Sequence, residues 1–300
     1  MTLPTPPSPT PPSPAPPSPA AADIAARLDL ARDIIREAGL LALSFFNDRD
    51  TLAVETKANA QDVVSAADKA SERLLRERIA AVFPHDSLLG EEYGLTEGIS
   101  GYCWVMDPVD GTSPFVFGLP SWCVSVAVTH GTETVVGVIY APVRDELYAA
   151  ALGQGASLNG TALRLSDKRS LVDGVLGVGA NHRVAPEIIT GFLNALLHEG
   201  GMFIRNGSGA LMLAYVAAGR LVGYYEPHMN AWDCLAGLCL ISEAGGRIEN
   251  FLVNGDLARG GRVIGAAPGA WEGLMRLVGQ AEKGQEADET SAVPAAMRPA

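Results

Sequence analysis

Apolar residues at Ile24, Leu28, Ala31, Ile35, Ala38, Ala42 and Phe45 recur at steps of three and four, the spacing that lines one face of a helix. They predict an amphipathic helix from about Asp23 to Phe46. A second stripe, Leu75, Ile79 and Val82, predicts a helix that starts near Ala66 and is stopped by Pro84. The period then changes. Tyr102–Met106, Trp122–Thr129, Thr134–Tyr140 and Glu146–Ala151 are short segments rich in valine and aromatics, separated by glycine or proline, and predict a meandering sheet.

Beyond about Leu171 strands and helices alternate. Strands are expected at Val175–Val178, Met202–Arg205, Leu221–Tyr225 and Val263–Gly265, and helices at Pro186–His198, Ser208–Ala218, Ala231–Ala244 and from Ala270. Two helices, an antiparallel-looking sheet and then a βα series predict a layered mixed α/β (α+β) architecture.

Both ends of the chain break these patterns. Ten of the twenty prolines lie in residues 1–20, where TPPSP, TPPSP and APPSP follow one another without a charged side chain. Such a segment favours an extended polyproline II arm that cannot build a core. Its two readings are an inert tail and a ligand for a proline-recognition module. Residues 281–300 are small and polar and read as a second disordered tail. A folded region of about 21–280 remains, divided into an N-terminal α+β half to about residue 170 and a C-terminal α/β half.

The 22 basic and 34 acidic residues leave a formal charge of −12, which disfavours nucleic acid and acidic membranes as partners. The four cysteines, Cys103, Cys123, Cys234 and Cys239, form no CxxC pair and sit in apolar segments, as reduced core thiols do. With no signal-peptide pattern and no apolar run long enough for a membrane span, a cytoplasmic protein is expected. Lys57, Lys69, Lys168 and Lys283 all lack a preceding glycine, so there is no P-loop; HExxH and GxSxG are absent too.

What remains is a set of carboxylates at the ends of elements. In Trp104-Val-Met-Asp107-Pro-Val109-Asp110-Gly111-Thr112 an apolar strand runs into Asp107, Pro108 fixes φ, and Gly111 permits a tight backbone. Two carboxylates in a stiff turn repel unless a cation lies between them, although Asp-Gly is also common in plain turns. Leu88-Leu89-Gly90-Glu91-Glu92 is a second acidic end, open to a reading as a solvated loop. Asp233, at the start of a predicted helix, is open to a reading as a cap. Together, Glu91, Asp107, Asp110 and Asp233 offer only oxygen donors, which suit a hard divalent ion such as Mg²⁺. Gly111 and Thr112 add N–H groups and a hydroxyl of the kind that hold phosphate. Metal-assisted hydrolysis of a phosphate ester is the chemistry this set fits.

At these residues the chain resembles the inositol monophosphatase family of Mg²⁺-dependent, lithium-sensitive phosphatases, which share a fold with fructose-1,6-bisphosphatase. The resemblance spans about residues 24–280. It rests on Gly90-Glu91-Glu92, on Asp107-Pro-Val-Asp-Gly-Thr112, and on Trp232-Asp233 followed by Glu243-Ala-Gly-Gly246, in that order. Lys57 and the segment Asp62-Val-Val-Ser65-Ala-Ala-Asp68 extend it upstream.

The resemblance implies a layered αβαβα sandwich of the sugar-phosphatase type, a homodimer, and hydrolysis of myo-inositol monophosphate by direct attack of a metal-activated water. It makes Glu91, Asp107, Asp110, Asp233 and the Val109 carbonyl metal ligands. Asp68 and Thr112 become a relay that takes the proton from the attacking water. Gly111 and Thr112 would hold phosphate, and Gly207, Ser208, Gly209 and Glu226 would touch the alcohol portion of a small phosphorylated substrate. Ser113-Pro114, Phe117 and Leu235 depart from the family pattern, which bears on substrate choice: relatives act on histidinol phosphate, bisphosphorylated nucleotides or sugar bisphosphates.

Two other readings compete. A haloacid-dehalogenase-type phosphatase needs DxDGT, with one residue between its acids, whereas Asp107 and Asp110 have two between them. A metal- and phosphate-binding relative without turnover is the other.

Overall fold

Helix α1 (Ala21–Asn47) turns Ile24, Leu28, Ala31, Ile35, Ala38 and Ala42 inward, the stripe its sequence spacing marks. Each large side chain buried this way contributes about 1.5–3 kcal/mol. The computed structural model describes residues 19–48, 54–56, 63–254 and 257–291. Most of the proline-rich arm, Lys57, Asp62 and residues 292–300 lie outside them.

After the short antiparallel pair β1 (Val54–Thr56) and β2 (Val63–Ser65), α2 (Ala66–Val82) lies beside α1. Then follow β3 (Ser87–Gly90), β4 (Gly94–Thr96), β5 (Tyr102–Asp110), the short α3 (Thr112–Val116), β6 (Cys123–His130), β7 (Glu133–Ala141), β8 (Glu146–Ala151), β9 (Gly155–Leu158) and β10 (Thr161–Leu163). The expected meander is present: from β5 to β10 each strand pairs antiparallel with the next. β3 adds in parallel to β5, and β4 closes that edge, giving the order β10-β9-β8-β7-β6-β5-β3-β4.

The C-terminal half comprises β11 (Val175–Val178), α4 (Pro186–His198), β12 (Met202–Ile204), α5 (Gly209–Ala217), β13 (Gly223–Met229), α6 (Ala231–Glu243), β14 (Arg247–Ile248), α7 (Phe251–Asn254), β15 (Gly261–Ala266) and α8 (Trp271–Ser291). Its sheet runs β12-β11-β13-β15-β14, parallel across the first three strands and antiparallel beyond.

Period-two alternation builds the layers. On β5, Trp104 and Met106 face α1 and α2, while Val105 faces the cluster formed with α5 and α6. On β13, Tyr224 joins that same central cluster, and Tyr225 faces α4 and α8 beside Phe192 and Leu274. The layers are therefore α1/α2, the large sheet, α5/α6, the small sheet and α4/α8, the expected αβαβα sandwich.

Several element ends differ from expectation: the strand expected at Leu221–Tyr225 is β13 at Gly223–Met229, which carries Glu226. β5 does not end at Met106 but pairs with β6 as far as Asp110, with a register shift between Asp107 and Asp110. Pro108 is compatible with the strand because it falls within the bulge, where no ladder N–H is required. Helix α8 passes the boundary expected near Gln280 and reaches Ser291, since Ala281, Glu282, Lys283, Gln285 and Glu286 are all good helix formers. Among the described residues no helix is long and apolar enough to cross a membrane.

Candidate active site

Four chain segments deliver carboxylates to one cleft. Glu91 follows the C-terminal end of β3, and Asp107 and Asp110 flank the bulge at the end of β5. Asp233 lies in the first turn of α6, and Glu226 lies on β13. The cleft has a volume of about 760 Å³. Each of the residues expected to bind metal, phosphate or substrate lines it; Asp68 sits behind Thr112, fully buried.

Glu91, Asp107 and Asp233 bring oxygens within 4.8 Å of one another. Asp107 Oδ1 accepts a hydrogen bond from the Val109 N–H at 2.9 Å, which fixes its rotamer across the bulge. Asp233 completes a capping box: its Oδ2 accepts from the Asn230 N–H at 3.1 Å, so the residue is a cap and a member of the acidic trio together.

Asp110 stands apart from the trio. Its Oδ2 accepts from the Ala210 N–H at 2.8 Å and from the Ser208 hydroxyl, which anchors the end of β5 to the N-terminus of α5. Ser208 is fully buried, and its hydroxyl also caps α5 by accepting from the Leu211 N–H. Its side chain thus holds Asp110, while Gly207 and Gly209 on either side are half-buried and line the cleft.

Burial and mutual repulsion act together on the cluster. Burial, reinforced by the charges of Glu91, Asp110, Asp233 and Asp68, pushes the Asp107 carboxyl well above the usual carboxylate range. Burial, then the charges of Asp110 and Glu91, raises Asp233 likewise. Asp110 is pushed up to about 6 by burial, against hydrogen bonds from Ser208 and the α5 backbone that favour its ionised form. A hard divalent ion fits this donor set, because it neutralises the repulsion and is ligated by oxygen alone.

Gly111 closes the loop with φ +93°, a left-handed conformation that favours glycine, and a Cβ there would lie 2.9 Å from the Ser121 carbonyl. The turn releases Thr112 so that its Oγ1 lies 3.2 Å from Asp68 Oδ1 and 3.1 Å from the Val109 carbonyl. Across the cleft, Glu226 accepts from the Tyr224 hydroxyl at 2.5 Å and from Asn181 Nδ2 at 2.9 Å. Burial raises its pKa, opposed by those two hydrogen bonds.

Several lining residues escaped the sequence reading: Asn181, Arg183, Arg205, Asn206 and His228. They lie on loops or strand ends of the C-terminal half, where no motif distinguishes them. The cysteines are all free, as expected, and burial pushes the thiols of Cys103, Cys123, Cys234 and Cys239 up, away from nucleophilic chemistry.

A five-layered mixed α/β fold thus brings a cluster of carboxylates together beside the half-buried Thr112 and the buried Asp68, in one cleft. The sequence profile of the inositol monophosphatase family matches residues 23–285, and the chain belongs to that family. It is 38% identical over 243 residues to Nus factor SuhB of Haemophilus influenzae, covering 80% of this chain and 90% of that protein. It is 39% identical over 226 residues to the inositol-1-monophosphatase of Rhizobium meliloti, covering 74% of this chain and 84% of that protein. Among solved structures, the extragenic suppressor protein suhB of Bartonella henselae superposes with a TM-score of 0.78 at 31% identity, covering 86% of this chain and 99% of the other.

Proposed function

We propose that this chain is a Mg²⁺-dependent phosphomonoesterase acting on myo-inositol monophosphate. The observation that carries the reading is the Thr112–Asp68 contact beside the Glu91, Asp107 and Asp233 trio. Glu91, Asp107, Asp110, Asp233 and the Val109 carbonyl would hold Mg²⁺, which when bound supplies Lewis acidity and an activated water.

The protein's own groups do the rest. Thr112 Oγ1 can accept a proton while its own hydrogen passes to Asp68, which is fully buried and so receives it away from bulk water. The N–H groups of Gly111 and Thr112 orient the phosphoryl oxygens. Glu226, held by Tyr224 and Asn181, offers an acceptor to the hydroxyls of the alcohol. A homodimer and lithium sensitivity belong to the same proposal on the strength of the family resemblance, and a cytoplasmic location belongs to it on the reading of the four cysteines as reduced core thiols.

Arg183 and Arg205 also line the cleft and favour a second reading, a substrate with a second anionic group such as a bisphosphorylated sugar or nucleotide. Phosphate release should be measured with and without Mg²⁺ from inositol 1-phosphate, histidinol phosphate, fructose 1,6-bisphosphate and 3′-phosphoadenosine 5′-phosphate. Preference for inositol 1-phosphate is expected. Preference for a bisphosphate would move the substrate assignment to the arginines, and release from none would leave a binding role without turnover.

A further inference from the structure

Glu72 is a carboxylate with no accessible surface, one turn along α2 from Asp68, and nothing in its sequence surroundings marks it. Its Oε2 accepts from the Glu92 N–H at 2.7 Å, and its Oε1 accepts from the Tyr93 N–H at 3.2 Å and from Arg76 Nε at 2.7 Å. The two backbone donors are successive amides of the turn between β3 and β4, the turn that carries Glu91.

Gly90, the residue before Glu91, has no room for a side chain, because a Cβ there would fall on the Glu72 carboxylate. Glu91 is thus held from two directions. Its own N–H donates to the Met106 carbonyl of β5 at 3.3 Å, and the two amides that follow it are tied to Glu72. Arg76 extends the tie by donating to Thr96 Oγ1 at 3.2 Å and to the Gly94 carbonyl on β4.

We propose that Glu72 is a positioning residue for the metal site: by gathering the amides of Glu92 and Tyr93 it fixes the turn that holds the Glu91 carboxylate against Asp107 and Asp233. This inference rests on the proposed metal site. The chemistry is specific to a carboxylate. All three partners of Glu72 are donors, so an acceptor-only group satisfies them, whereas a carboxamide must turn an NH₂ towards at least one N–H. Buried polar groups that orient a ligand are worth roughly tenfold to a hundredfold in metal affinity.

The test compares Glu72→Gln with Leu274→Ala, a cavity variant in the distant α8 core, by calorimetric Mg²⁺ titration and thermal melting of each protein. The expected result is at least a tenfold weaker Mg²⁺ affinity in Glu72→Gln, while Leu274→Ala keeps wild-type affinity despite a comparable or larger loss of melting temperature. Unchanged affinity in Glu72→Gln, or equal losses in both variants, would overturn the positioning role. A wild-type protein that binds no Mg²⁺ would overturn the metal site itself and this inference with it. Should Glu72→Gln not fold, hydrogen exchange of residues 90–94 in the wild-type protein decides: slow exchange of the Glu92 and Tyr93 amides without metal is expected, and exchange at the rate of exposed amides overturns the proposal.

Discussion

Thr112 Oγ1 lies 3.2 Å from Asp68 Oδ1, joining residues 44 positions apart in the chain. The hydroxyl hydrogen has two acceptors within reach, since the Val109 carbonyl is 3.1 Å away on the other side. A proton arriving at Thr112 therefore has somewhere to go, and Asp68 is the acceptor that can become neutral on receiving it.

Removing either end of this pair should slow turnover far more than it weakens the fold. Thr112→Ala and Asp68→Asn are each expected to lower kcat by about 10²–10⁴, the usual worth of a positioned acid or base. Thr112→Ser keeps the hydroxyl and should stay within about tenfold of wild type. The double variant should be little worse than either single one, because the two act as a unit. Steady-state kinetics would show this, and additive losses would separate the two residues' roles.

Asp107 should show opposite effects on stability and function. Asp107→Asn keeps the acceptor for the Val109 N–H but removes a charge that Glu91, Asp110 and Asp233 all oppose. The metal-free variant is expected to melt higher than metal-free wild type. It should also lose activity and the gain in stability on adding Mg²⁺, which for the wild type is about 2.7 kcal/mol at a hundred times Kd. Melting curves with chelator and with Mg²⁺ measure both effects.

The same repulsion sets a pH dependence. Asp110 is raised from its ordinary 3.8 to about 6, and Asp107 and Asp233 are raised well above that ordinary value. The folded protein therefore keeps protons that the unfolded chain has already released. Its metal-free stability should fall as pH rises from about 4 through 6. Saturating Mg²⁺ should flatten that fall near neutral pH. A metal-free protein whose stability climbs across this range would contradict the assignment.

Breaking one buried ion pair, that of Arg27 and Asp86, should be costly, because desolvation offsets the attraction of the intact pair but leaves a single partner uncompensated. Asp86 accepts from Arg27 Nε and Nη2 at 2.9 Å each, from Trp104 Nε1 at 2.9 Å and from Ser100 Oγ at 2.6 Å. The Arg27 guanidinium lies 3.5 Å from the ring centre of Tyr102 and 4.3 Å from that of Phe83. Asp86→Ala strands a buried cation and is expected to cost about 3–5 kcal/mol. Denaturant unfolding should register it, with Mg²⁺ affinity unchanged.

Elements whose pattern is local were legible in the chain before any fold was known. The stripes of α1 and α2 express one side of a helix facing one core, so spacing alone reveals them, whereas β5 to β8 are buried on both faces and show instead as valine- and aromatic-rich segments between glycine or proline breaks. The acid-rich ends were legible too, because Gly90-Glu91 and Asp110-Gly111-Thr112 carry the turn chemistry needed to expose a carboxylate at an element's end. Resemblance, not spacing, suggested that Asp68 and Thr112 act together. Which side chains meet across the layers came from the stacking of the elements: Asp68 behind Thr112, Ser208 turned to Asp110, Glu72 beneath the Glu91 turn, and Arg205 in the same cleft as Glu226. The continuation of β5 through Pro108 belongs with these, because a proline reads as a break until the partner strand shows that no hydrogen bond was required there. Local pattern records what each residue does within its own helix or strand, and these contacts depend on how separate elements are stacked, which no window of sequence contains.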